Sequence, residues 1–247
     1  MSDLVPLQVR AHLAAGLAHA APWGVALDGL LAAELWAEHK ATARATGEIV
    51  PGLQDTPNPT DLDLPLARCT HGDPLWHWAA TTAWPEHTVT EIPDIHYWSG
   101  RVDPRALEQL TTALPATISE RQGRYRARYM PLLVTPCTTL VWSAIGDPTA
   151  LAELLYPVTA IGKKRSHGEG HVLSWEVTAM PDLDPWSAVH LHPDGRLGRT
   201  TPNECLCEHP DLVTGGYATA GLRPPYMHPA RQHTLYLPAF TPSRPTP

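Results

Sequence analysis

Residues 161–172 read Ile-Gly-Lys-Lys-Arg-Ser-His-Gly-Glu-Gly-His-Val, and these residue types at this spacing suit anion binding. Three glycines (Gly162, Gly168, Gly170) bracket the consecutive cations Lys163, Lys164 and Arg165, the hydroxyl of Ser166 and the imidazole of His167. Glycine permits positive φ and close backbone approach. Backbone N–H groups gathered beside Lys and Arg make a concave seat for phosphate oxygens. The run matches neither G-x-x-x-x-G-K-[ST] nor G-x-G-x-x-G, and a solvated surface turn carries such charges too. Local concentration favours function: 18 of 247 residues are Lys or Arg, and three stand here side by side.

A second cationic set, Arg124, Arg126 and Arg128, alternates with Tyr125, Ala127 and Tyr129. On a strand this puts three guanidinium groups on one face, either solvated or tracking a phosphate backbone. His167 beside Lys163 and Lys164 could supply a general acid or base with a phosphate clamp, the arrangement of an endoribonuclease. One loop histidine is more often a polar contact, and no second positioned base is evident. Ser143 and Ser174 lie in no G-x-S-x-G elbow, and the 14 histidines form no H-E-x-x-H. No catalytic residue is assigned, and the expectation is a protein that is not an enzyme.

Cysteine offers one metal reading. Cys205-Leu-Cys207-Glu-His209 holds three possible zinc ligands within five residues, and Cys69-Thr-His71 could complete four. C-x-C departs from the usual C-x₂₋₄-C spacing, and free cysteines are often just small buried hydrophobes. No metal and no other cofactor is therefore expected, nor a disulfide framework.

The elements that must position the loop follow from periodicity. Leu7, Val9, Ala11 and Leu13 alternate with polar residues as a half-buried strand. Leu27, Leu30, Leu31 and Leu35 suit an amphipathic helix running to about residue 45, with Asp28 at its positive end. Residues 46–64 read as a long loop and 64–83 as β structure, with Trp76 and Trp78 on one face and His77 on the other. Another strand, interrupted at Pro93, spans 88–98. Asp103-Pro104 and Asp147-Pro148 read as helix caps with proline in the first turn. Residues 132–145 suit a core strand pair broken at Pro136, 149–160 a helix and 171–179 a strand. A proline-rich remainder holds two or three short strands, and the tail from Thr241 is expected to fray.

The fold class expected is α+β, with a ferredoxin-like (RRM-like) β-α-β-β-α-β core. The whole chain, 1–247, forms one domain: core about 4–45 and 121–180, insertion about 46–120, C-terminal β extension about 181–247. Hydrophobic residues at 43% and charged residues at 17% indicate a globular chain. A net charge of −7 argues against a free-standing, non-specific nucleic-acid binder but not against a local basic groove. No apolar run approaches a membrane span, the N-terminus lacks the basic region of a signal peptide, and the expected location is cytoplasmic.

The pattern G-K-K-R-S-x-G-x-G-x-V-x-x-W from Gly162 to Trp175 resembles the glycine-rich loop of the RAMP superfamily of CRISPR proteins. Within that superfamily it is similar to the Cas-five-type subunit of type IV effector complexes. Leu27-Asp28-Gly29-Leu30-Leu31-Ala32 and Arg223-Pro224-Pro225-Tyr226 are supporting islands of the same resemblance. The resemblance implies a non-catalytic RNA-binding subunit that grips the 5′ handle of the CRISPR RNA. It implies contact with the large subunit and the backbone subunits, and with target DNA through the complex. Gly162, Lys163, Lys164, Arg165, Ser166, Gly168 and Gly170 would form the handle-contacting loop with His167 among them, and Arg223 and Tyr226 would be secondary contacts. The alternatives are a CRISPR RNA-processing endoribonuclease using His167 and a structural adaptor that binds only protein.

Overall fold

The structure, a computed structural model, describes residues 4–18, 24–50, 52, 56–88, 93–110, 118–119, 121–123 and 125–239. Arg124 and the tail from Thr241 lie outside the described residues. The elements in order are β1 (Val5–Leu13), β2 (Leu17–Ala18), α1 (Leu27–Thr46), β3 (Arg68–Cys69), β4 (His77–Trp78), β5 (Trp84–Thr88) and β6 (Asp94–Gly100). They continue with α2 (Pro104–Leu110), β7 (Arg128–Thr135), β8 (Cys137–Gly146), α3 (Pro148–Leu155), β9 (Val172–Ala179), α4 (Pro185–His190), β10 (Tyr217–Gly221) and β11 (Gln232–Tyr236). The chain is α+β, and its named strand pairs are antiparallel.

The central sheet runs β5-β8-β1-β9. The alternation in β1 buries Leu7, Val9, Ala11 and Leu13, the first three of which lie opposite Ala144, Trp142 and Leu140 of β8. Leu27 and Leu31 of α1 and Leu151 and Leu155 of α3 complete this core on one face of the sheet. Asp147 starts α3 as expected: its Oδ1 accepts the N–H groups of Thr149 and Ala150 at 2.9 and 3.2 Å, satisfying two donors at the helix start. The helix ends at Leu155 rather than near 160, because Pro157 follows and has no N–H to continue it. A bulge opposite His12 and Leu13 inserts Leu173, so Val172 turns inward and Leu173 is left exposed. Strict alternation along the strand would put Leu173 on the face of Trp175 and Val177.

The strands on either side of Pro136 do not pair with one another. β8 joins the central sheet, whereas β7 turns away to form a second sheet, β2-β7-β6. The arginine run also differs from expectation: Arg126 lies in a turn, its N–H donating to Gly123 O at 3.3 Å, and the strand begins only at Arg128. In the proline-rich region Asp184 Oδ2 caps α4 by accepting from the Ser187 N–H at 2.8 Å, with Pro185 in the first turn. This helix packs at the opposite face of the central sheet, where Val189 meets Ala79, Cys69, Cys205 and Ile145. No described helix is long and apolar enough to cross a membrane.

Candidate nucleic-acid interface and a buried cysteine–histidine cluster

The glycine loop is closed at its base by the bridge between Ala160 and His171. Gly162, Gly168 and Gly170 all have positive φ (79°, 90° and 64°), and so does Lys164 at 58°. A Cβ on Gly162 would run into the carbonyl oxygen of Ala18, and one on Gly170 into that of Ile161. These two glycines serve backbone packing, whereas Gly168 faces open space. The Gly168 N–H is spent on Arg165 O at 3.0 Å, so it does not point at a ligand as the sequence suggested. Arg165, Ser166 and His167 form a single 3-10 turn with no buried residue, and Ser166 Oγ lies 3.1 Å from His167 Nδ1.

The loop rests on β6. The Lys164 ammonium sits 3.1 Å from the Trp98 ring centroid, and His167 meets the same ring edge-on at 5.8 Å. Glu169 Oε1 pairs with His96 Nδ1 at 2.8 Å. His96, Trp98 and, across the register, Arg128 share the face of the β6–β7 ribbon that meets the loop. Arg128 therefore extends the cationic surface. His96 and Trp98 carried no sequence signal as docking partners, whereas Arg128 was read from the alternating arginine run.

Lys163 and Arg165 turn the other way, into an open groove of ≈ 700 Å³. It is also lined by Val25 and Ala26 just before α1, by Gly29 in its first turn, and by residues of β10. Ala26 gives α1 no side-chain cap, but the Leu27 N–H donates to Thr81 O at 3.2 Å and the Gly29 N–H to Asp28 Oδ1 at 2.9 Å, so the positive character of the groove rests on Lys163 and Arg165. Among the described residues, Lys163, Lys164 and Arg165 form no ion pair.

Arg223 and Tyr226 brace the fold from within. Arg223 bonds Asp61 Oδ1 and Trp76 O, both at 3.1 Å, and lies over the Trp76 ring. Tyr226 donates its hydroxyl to Asp28 Oδ1 at 2.6 Å, while its ring lines the groove. Asp28, placed by sequence at a helix start to suit its dipole, is wholly buried. Burial raises its carboxyl against the opposing pull of Arg199, whose Nη2 is 3.9 Å away. Arg199 is buried too and donates to the carbonyls of Trp78, Ala80, Thr200 and Leu222.

On the far side of Arg199, four side chains converge. Cys69 (β3), His77 (β4), His190 (α4) and Cys205, from the 3-10 turn Asn203–Leu206, bring one nitrogen or sulfur each within 4.8 Å of the others, all buried. The sulfurs are 4.0 Å apart, and Cys69 Sγ to His190 Nε2 and Cys205 Sγ to His77 Nε2 are each 3.7 Å. Both imidazoles are oriented from behind: His77 Nδ1 faces Trp78 O and His190 Nδ1 faces Trp186 O, each at 3.0 Å. Burial and the Arg199 charge push His77 down to about 4, keeping it neutral. The Cys205 contact holds the Cys69 thiol low, and that contact together with burial raises Cys205.

Sequence spacing found the two sulfurs and missed both nitrogens. Cys207 is exposed and bonds Asn203 O, and His209 stacks on Trp186 instead. His71 Nδ1 approaches Cys69 Sγ at 3.4 Å from outside the four. Compared with known proteins, the chain matches no family model and no curated sequence.

Proposed function

We propose that the chain is a non-catalytic RNA-binding subunit of a type IV CRISPR ribonucleoprotein, gripping the 5′ handle of the CRISPR RNA. The observation that carries this reading is the exposed pair Lys163 and Arg165, which line an open groove and form no ion pair among the described residues. That is a seat for phosphate built from point charges. Beside it an apolar cleft of ≈ 250 Å³, lined by Trp36, Trp78 and Tyr226 among others, suits an unstacked base.

Strand order supports a RAMP-like, ferredoxin-like core. Counting only β1, β5, β8 and β9 with α1 and α3, the chain reads β-α-β-β-α-β, and the sheet places the fourth, first, third and second strands side by side. A role as one subunit among several is supported by the outer face of the β6–β7 ribbon. There Ile95, Tyr97, Tyr129 and Leu133 are exposed, the two tyrosine rings stacked at 5.0 Å. We assign this face to a neighbouring subunit, since clustered exposed aromatics mark protein contacts. Contact with target DNA would then be indirect, and the place of action cytoplasmic.

Co-expression with the neighbouring genes, followed by sequencing of copurifying RNA, tests the reading. The expected result is one species with a uniform repeat-derived 5′ end. RNA cut only when His167 is intact would replace the reading with a ribonuclease, and absence of RNA with a protein adaptor.

A further inference from the structure

We propose that Cys69, His77, His190 and Cys205 bind one structural zinc ion. The type of donor set comes first: two thiols and two imidazoles are the ligands of closed, tetrahedral zinc sites. Geometry comes second. Tetrahedral zinc with Zn–S of ~2.3 Å and Zn–N of ~2.05 Å needs S···S of about 3.8 Å and S···N of about 3.5 Å. The observed 4.0, 3.7 and 3.7 Å are each only slightly longer.

Two separate S–H···N hydrogen bonds would also satisfy four such groups, but they do not require all four atoms to meet at one point. Here every ligand atom lies within 4.8 Å of every other. The sulfurs come from residues 136 positions apart. Cys69 and His77 stand opposite one another in the β3–β4 register, so the short hairpin presents two donors as a pair.

The surroundings fit a metal as well. Each imidazole is held through Nδ1 by a backbone carbonyl, which fixes the tautomer and aims the Nε2 lone pair inward. His71, touching Cys69 from outside, supplies a further polar contact to that sulfur. Four buried protein ligands leave no open position, so the site is closed and offers no chemistry of its own. Its effect is mechanical: it ties the β3–β4 hairpin to α4 and the 203–206 turn. The segment it holds includes Arg199, which reaches both Trp78 O beside the site and the Asp28 carboxylate under the groove.

The test is metal content of the full chain, purified without chelator and without a metal-affinity tag. The expected result is about one zinc per chain, falling to under about a tenth in Cys69→Ser and in Cys205→Ser. Cys207→Ser, His209→Ala and His71→Ala should keep a full equivalent. Because the first two variants could lose zinc by failing to fold, the wild-type protein reconstituted with Co²⁺ provides a second reading. It should show tetrahedral d–d bands with thiolate-to-metal charge transfer. Zinc-free wild-type protein whose melting is unmoved by added zinc would overturn the proposal. So would a Cys69–Cys205 disulfide in the freshly purified protein, or full zinc retained by Cys69→Ser.

Discussion

The ammonium of Lys164 lies 3.1 Å from the ring centroid of Trp98, and this contact divides the labour within the cationic triplet. Lys164 is turned back onto β6 to hold the loop, while its neighbours Lys163 and Arg165 line the groove. The left-handed backbone at Lys164, with φ of 58°, is what reverses the chain between the two directions.

Trp98→Ala therefore removes the anchor and leaves the groove cations in place. A cation–π contact and an aromatic edge contact are together worth about 1–2 kcal/mol. Amide exchange across 163–169 should accelerate while the central sheet stays protected. Unchanged exchange in the loop would show that Trp98 does not hold it.

The three loop glycines should respond unequally to alanine. Gly168 meets only the cost of a left-handed residue, about 1 kcal/mol, because no atom stands near its missing Cβ. Gly170 adds a collision with the Ile161 carbonyl and should cost about 3 kcal/mol or more. Denaturant unfolding of the two variants makes the comparison, and equal losses would count against the packing role of Gly170.

The exposed tyrosine pair should matter to assembly and not to folding. Tyr97→Ser with Tyr129→Ser removes a stacked pair that is more than half exposed on each side. The isolated chain should unfold within about 0.5 kcal/mol of wild type, while copurification with the other subunits is lost. Retained assembly would remove this face from the interface.

Asp28 gives a pH dependence whose sign can be worked out. Its carboxyl titrates near 3.8 when the chain is unfolded and higher when folded, chiefly through burial. Above pH 3.8 the unfolded state releases its proton first, so Asp28's contribution to stability is fully present below that pH and declines as pH rises through the folded value. Asp28→Asn cannot titrate. The stability of wild type relative to this variant should therefore fall with rising pH, by up to about 1.4 kcal/mol per unit. A difference that is constant with pH would contradict the raised carboxyl.

Periodicity and caps made much of the fold legible. The alternation of Leu7, Val9, Ala11 and Leu13 and the Asp147-Pro148 cap are local signals, and each produced the element it indicated. Asp184-Pro185 is the same signal as Asp147-Pro148, yet among so many prolines its helix went unread. What stayed hidden depends on long-range register. His77 meets Cys69 only because two-residue strands pair there, and Cys205 reaches them across 136 positions. Adjacent Cys207 and His209 looked better placed in sequence, but Cys207 is exposed after the 3-10 turn and His209 stacks on Trp186. The loop's chemistry was readable from its residue types, whereas its support was not. His96 and Trp98 follow Pro93 in a stretch that gave a strand and nothing more, and the bonds of Arg223 to Asp61 and of Tyr226 to Asp28 carried no signal in the sequence.

The most direct measurement is the salt dependence of RNA binding by wild type and by Lys163→Ala/Arg165→Ala, using a synthetic repeat-derived 5′ handle. Two groove cations contacting two phosphates should steepen the log–log slope by about 1.4 relative to the variant, at about 0.7 per phosphate on a single strand. Affinity at physiological salt should fall at least tenfold in the variant while its melting temperature is unchanged. Equal slopes and equal affinity in the two proteins would contradict the assignment of this groove to RNA.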